Sequence, residues 1–159
     1  MTIPKAALPL THPACIAATW FGAGLIRPAP GTWGSLAALP FAWAMVQLGG
    51  PVTLMVATAA VFALGCWASD VYGRASRCKD PDSVVIDEVA GQWLVLIVTP
   101  LEPLYYLAGF LVFRLCDISK PWPASWVDRK VSGGLGIMLD DVLAALYGLA
   151  AIAAFRYWY

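Results

Sequence analysis

The chain has 159 residues, of which 60% are hydrophobic and only 13% charged, with zero formal net charge and a mean hydropathy of +0.72. A soluble domain carries roughly 25% charged residues, so a surface wetted on all sides is excluded, and zero net charge gives no bulk attraction to nucleic acid. The length suits a single domain. The composition predicts an all-α, small multi-pass helical membrane bundle.

Residues 1–13 hold three prolines and no apolar stretch of signal-peptide length, so they are expected to form a loose tail and not a cleavable signal. Residues 14–159 then form one helical domain. Ala14 to Ile26 is a short apolar segment, with Trp20 and Phe21 placed to anchor at a membrane interface. Arg27 to Ser35 carries two prolines and two glycines, which predicts a structured loop. No charged residue occurs from Pro28 to Ser69, about twice the ~20 residues of one span. Gly49-Gly50-Pro51 divides this run into a short piece, 36–48, and a better span, 52–68.

Arg74, Arg77 and Lys79 follow. Asp80 and Pro81 read as a helix cap and first helical position, opening a third apolar piece over 84–101. Glu102-Pro103 is a turn. Residues 104–115 return and run into Arg114, Asp117 and Lys120, where Pro121 and Pro123 stop the helix. Trp122 and Trp126 suit the headgroup level. The last apolar piece is 142–155.

The turns at 49–51 and 102–103 have no lysine or arginine. Placing the basic segments around Arg27, Arg74–Lys79 and Lys120–Lys130 in the cytoplasm satisfies the positive-inside rule. The same placement brings Asp87, Glu88, Arg114, Asp117, Lys120, Asp140 and Asp141 to one membrane face.

Asp87-Glu88 and Asp140-Asp141 are adjacent acid pairs in apolar surroundings. An ionised carboxylate there is costly unless a cation or donor meets it. Oxygen-only ligands suit a hard ion, Mg²⁺ before Ca²⁺ or Mn²⁺. His12 is the sole histidine, and none of Cys15, Cys66, Cys78 and Cys116 forms a CxxC pair, so zinc chemistry is not expected. The plainer account of each acid pair is dipole capping at a helix start. Gln92 lies one turn after Glu88 and could orient it or a bound water. Arg114, Asp117 and Lys120 are spaced by three, so Asp117 could hold two cations for a phosphate, or the three form only an ion-pair ladder. Gly133, Gly134 and Gly136 could present backbone N–H groups to phosphate oxygens, or simply turn the chain. Gly31 to Ser35 is a similar weak cradle.

A hard cation, basic residues and lipid contact point to phosphoryl chemistry on a lipid. No cysteine precedes an arginine by six positions, and one histidine cannot serve a two-histidine phosphatase. Metal-assisted attack by water or by a carboxylate remains. One alternative is a small ion or proton transporter using the interfacial acids, although transporters place acids near the midplane. Another is a non-catalytic lipid-binding subunit, which would not need four acids.

The motifs PGTWGS at 30–35, VIDEVAGQW at 85–93, FRLCDISKPWP at 113–123 and GGLGIMLDD at 133–141 resemble the phosphatidylglycerophosphatase A family, from about Trp20 to the last helix. The resemblance implies an all-helical, Mg²⁺-dependent enzyme of the bacterial inner membrane, and the placement of the basic segments puts its active site at the cytoplasmic face. It implies a phospholipid substrate, phosphatidylglycerophosphate, whose terminal phosphomonoester is hydrolysed to give phosphatidylglycerol and phosphate. The family's motif positions fall on Asp87, Glu88, Arg114, Asp117, Lys120, Asp140 and Asp141. The expected roles are metal ligation by Asp87, Glu88, Asp140 and Asp141, substrate binding by Arg114, Lys120, Gly133 and Gly134, and catalysis by Asp117, Glu88, Arg114 and Lys120.

Overall fold

The computed structural model describes residues 6–158, so the first five positions of the expected tail lie outside the described residues. Among those described there are helices and no strand: α1 (Pro13–Ala18), a 3₁₀ turn (Ala23–Leu25), α2 (Pro30–Ser76), α3 (Ile86–Leu96), α4 (Pro103–Ser119), α5 (Ala124–Lys130) and α6 (Gly133–Trp158). The part of the tail that is described is docked, not loose. Ala6, Ala7 and Leu8 pack on the core, and Ala7 N–H donates to Tyr72 Oη at 3.2 Å.

Pro30 occupies the first turn of α2, where its fixed φ and missing N–H cost nothing. The loop expected over 27–35 is therefore corrected: residues 30–35 are helical. Gly50 interrupts α2 with φ 74 and ψ −178, a backbone conformation glycine adopts readily, and Pro51 follows. A Cβ built on Gly31 would meet the Glu88 side chain, and one built on Gly65 would lie 3.4 Å from Ile86 Cγ2. In a straight helix those two glycines would stand roughly 50 Å apart, yet they touch residues two positions apart in α3. The chain therefore doubles back at Gly50, at the break expected over 49–51.

The two arms enclose α3. Nine of its 11 residues are buried, and at ~16 Å it is too short to cross a ~30 Å hydrocarbon layer. The span expected over 84–101 is thus corrected to a central helix wrapped by protein. Its start is corrected as well. Asp80-Pro81 does not open a helix, because the following donors are used elsewhere: Val84 N–H bonds Pro81 O and Val85 N–H bonds Ala18 O, both at 2.8 Å. The helix begins only at Ile86. Trp20 is 8% exposed and stacks edge-on against Trp93 and Phe41, each with a centroid separation of 5.4 Å, so it is a core residue, not an interface anchor. Phe21 beside it is exposed.

Close packing comes from small residues. Ala38, Ala68, Ala90 and Ala145 are fully buried, which brings the helices near enough for van der Waals contact. Helices α2 and α6 are long and apolar enough to cross a membrane. Helix α6 starts at Gly133, not near Val142. Asp140 and Asp141 therefore lie about two turns inside it, too far along to cap it.

Candidate active site

Three helices deliver the acids and their cations to one place. The first turn of α3 carries Asp87 and Glu88, where the unsatisfied N–H groups of a helix start favour negative charge. Helix α6 brings Asp141, and one oxygen from each of Asp87, Glu88 and Asp141 lies within 4.8 Å of the others. Helix α4 brings Arg114, whose Nη1 donates to Asp117 Oδ2 at 2.5 Å and lies 3.7 Å from Glu88 Oε1. The first two turns of α2 close the site from the other side. There Gly31 leaves the room that Glu88 and Arg114 fill, and Ser35 Oγ lies 3.4 Å from Arg114 Nη1.

At this separation two ionised carboxylates repel by about 3–4 kcal/mol at an effective dielectric near 20. Arg114 supplies one compensating charge to the group and shares it with Asp117. Asp87 and Asp141 are 8% and 3% exposed, so water cannot supply the rest. Asp87 Oδ1, Glu88 Oε2 and Asp141 Oδ2 are buried without a hydrogen-bond partner. Three carboxylates that each leave a buried oxygen unpartnered, and each bring an oxygen within 4.8 Å of the other two, fit a hard divalent cation.

The remaining expected residues divide between this group and its surroundings. Asp117 lies against Asp141 as well as Arg114. Asp140 does not join the trio; its Oδ2 meets Lys120 Nζ at 2.5 Å. Lys120 sits in the left-handed position that ends α4, with φ 41, and its other ion-pair partner is Asp128 at 3.2 Å. Asp117 is therefore not seated between two cations: Arg114 holds it, while Lys120 turns to α6. Burial pulls the Lys120 ammonium down, but its hydrogen bond to Asp140 and the charges of Asp140, Asp141 and Asp128 prevail and leave it raised. Gly133 and Gly134 stand about two turns before the acids, packed on α2 at Cys66 and Asp70. Gln92 is fully buried with both amide atoms unpartnered. Sequence reasoning missed Asp128, a lone acid in a basic stretch that carried no motif. It gave Ser35 only as part of a weak phosphate cradle.

With this geometry in place, comparison with known proteins is informative. The phosphatidylglycerophosphatase A family profile matches residues 16–156. The chain belongs to that family. It is similar to the phosphatidylglycerophosphatase A of Haemophilus influenzae, 40% identical over 156 residues that cover 98% of this chain and 96% of that protein. It is also similar to the Escherichia coli K12 protein of that name, 37% identical over 145 residues covering 91% and 84% of the two chains. A third relative, from Bacteroides thetaiotaomicron and provisionally named a phosphatidylinositol-3-phosphatase, is 37% identical over 149 residues, covering 87% of this chain and 91% of that one. No solved structure matches. The span shared with the phosphatidylglycerophosphatase A family includes all of α2 to α5 and most of α6, so the acid trio and Arg114 lie within it.

Proposed function

We propose that this phosphatidylglycerophosphatase A family member is a Mg²⁺-dependent lipid phosphatase. It hydrolyses the terminal phosphomonoester of phosphatidylglycerophosphate to phosphatidylglycerol and phosphate. The observation that carries this reading is the buried trio of Asp87, Glu88 and Asp141 beside Arg114. Mg²⁺ would be held by these three carboxylates, and when bound it would polarise the phosphoryl group.

The chain's own groups account for the rest. Arg114 Nε is buried without a partner, which leaves a guanidinium donor for a phosphoryl oxygen. As the P–O bond to the glycerol breaks, Arg114 and Lys120 meet the charge developing on the phosphate. Asp117 sits at the edge of the trio, held by Arg114, and is our choice to take the proton of the attacking water; Glu88 is the other acid in reach of Arg114. The departing glycerol oxygen takes up the proton that Asp117 accepted from water, which restores the carboxylate as phosphatidylglycerol leaves. The low exposure of Asp87, Asp117, Asp140 and Asp141 keeps bulk water away from these groups.

The enzyme is placed in the bacterial inner membrane as a multi-pass protein with its site at the cytoplasmic face. Supporting this, Arg27 pairs with Asp82, Lys79 Nζ bonds Asp128 O, and Lys120 bonds Asp140, so all three basic segments gather at the end of the bundle that holds the acids. A transport path would need polar groups continuing toward the far end. Beyond Asp141 the buried residues of α6 are Ala144, Ala145, Gly148 and Ile152.

The test is phosphate release by the detergent-solubilised protein with and without Mg²⁺. The substrates are short-chain phosphatidylglycerophosphate, phosphatidylinositol 3-phosphate and a water-soluble phosphomonoester. Mg²⁺-dependent release that prefers the first is expected. Preference for the inositol lipid would move the headgroup assignment, and no release from any of them would end the phosphatase reading.

A further inference from the structure

A cleft of about 250 Å³ opens between the C-terminal end of α2 and the start of α6. Its lining includes Ser69, Arg74, Arg77, Lys79, Ser132 and Gly133. Along α6 the lining runs from Gly133 to Ile137, one turn before Asp141, and it includes none of Asp87, Glu88 and Asp141. We propose that the cleft is a phosphate-binding site, taking the phosphate group of an anionic phospholipid or free inorganic phosphate.

Ser69 carries the argument. It is fully buried, it lines the cleft, and its Oγ has no hydrogen-bond partner. The other buried serine and threonine hydroxyls among the described residues behave differently. Thr19, Ser35, Thr58 and Thr99 each donate to the carbonyl four residues back, at 2.7–2.9 Å. Ser69 does not use that ordinary escape, so its donor waits for a partner from outside the helix.

The surroundings suit an anion. The first N–H groups of the 26-residue α6 have no partner within the helix, and its dipole favours negative charge at that end. Gly133 has φ 78 and no side chain of its own, and Asp70 Oδ1 comes within 3.1 Å of where its Cβ would stand. Arg74, Arg77 and Lys79 outnumber the one acid in the lining, Asp70, which Arg74 already holds at 2.7 Å. Lys79 is engaged by the carbonyl oxygens of Asp128 and Arg129. Among the described residues the Arg77 guanidinium has no hydrogen-bond or ion-pair partner, and its planar fork matches phosphate. Basic pockets between membrane helices on the cytoplasmic side recognise anionic headgroups in this way.

The experiment uses the full chain in phosphatidylcholine-containing mixed micelles. Native mass spectrometry reads retained phosphatidylserine, an anionic lipid unlike the proposed substrate, with inorganic phosphate as competitor. We expect one phosphatidylserine retained per chain in preference to phosphatidylcholine. Arg77→Gln should weaken retention about fivefold, and Ser69→Ala should weaken it several-fold with the charge intact. Displacement by millimolar phosphate would show that the site reads the phosphate alone; retention unaffected by phosphate would assign it to the lipid headgroup. Equal retention of both lipids overturns the site. So does retention unchanged by Ser69→Ala, which would reduce the arginine effect to surface attraction. Circular dichroism and turnover of the short-chain substrate check that both variants fold. Because binding is read directly, failure of this site and failure of the phosphatase reading are separable.

Discussion

Lys120 Nζ lies 2.5 Å from Asp140 Oδ2, while Asp141, the next residue along α6, faces Asp87 and Glu88. Two neighbours of identical chemistry therefore have different surroundings, and they should respond differently to the same substitution. Asp141→Asn should raise the Mg²⁺ concentration needed for half-maximal turnover by tenfold or more, since it removes a charged ligand. Asp140→Asn should leave that requirement within about threefold and act through Lys120, a loss on the order of the 1.5–3 kcal/mol of a charge-assisted hydrogen bond. Mg²⁺ activation curves for the two variants check this; equal shifts would place both acids on the metal.

Alanine at Asp87, Glu88 or Asp141 should lower kcat by about 10³-fold or more, the scale of losing a metal ligand or base. Raised Mg²⁺ should partly restore a ligand variant and should not restore Asp117→Ala. Chelation of the wild type should abolish phosphate release, and added Mg²⁺ should return it. Near-normal activity in all four variants would leave the acids with a structural role only.

Arg114 reaches Asp117 and Glu88 and keeps a free Nε donor. Arg114→Lys preserves the charge and loses the fork, so kcat should fall about 10²-fold. A rise in KM alone, read from steady-state kinetics on the short-chain substrate, would mean that Arg114 holds ground state and transition state equally.

The Lys120 ammonium is raised by its acidic partners. A basic group raised in the folded state contributes stability that is fully present below its unfolded pKa, about 10.4, and lost as pH rises through the folded value. The pH–rate profile should thus show no falling limb from Lys120 between pH 7 and 10. Lys120→Ala should remove any difference in thermal stability between pH 9 and 11 that this pair produces. A basic limb near pH 8 that disappears in Lys120→Ala would contradict the assignment.

Leu48, Val52, Met55 and Val56 are exposed on the arms of α2, whereas Val89 and Ala90 of α3 are fully buried. Of cysteines at these six positions, those at Met55, Val56, Val89 and Ala90 should resist membrane-impermeant thiol reagents. A lipid-phase photoreactive probe should label the α2 positions and neither α3 position. Labelling of α3 from lipid would restore it as an exposed span.

Proline and glycine mark helix ends in some places and hide helix starts in others: Pro30-Gly31 and Gly133-Gly134 both lie in a first helical turn although they read as loop. Pro103, Pro121 and the break at Gly50 were all legible. The burial of α3 was not, because Val84 to Leu101 is equally apolar whether lipid or protein surrounds it, and only packing separates the two cases. The start of α3 was misread because Asp80-Pro81 offers good local capping chemistry, while the bond from Val85 N–H to Ala18 O is long-range. The acids were legible as a group from their cost in apolar surroundings. Their division into Asp141 with the trio and Asp140 with Lys120 depends on how α6 rotates against α4, which adjacent residues cannot reveal. Ser69 gave no sign in sequence; a missing hydrogen bond shows only once the helix is built.

The reversal at Gly50 also has a consequence for biogenesis. In the proposed membrane placement, a chain that turns back within one apolar run returns to the compartment it left, and Arg27 and Arg74 would finish on the same side without any charge crossing. The two arms can enter the bilayer together as a closed hairpin, with no translocated loop of any size. Reading parity in this way, a charge introduced at the tip, such as Gly49→Lys, should hinder insertion of both arms at once, in proportion to the cost of carrying that charge to the far face.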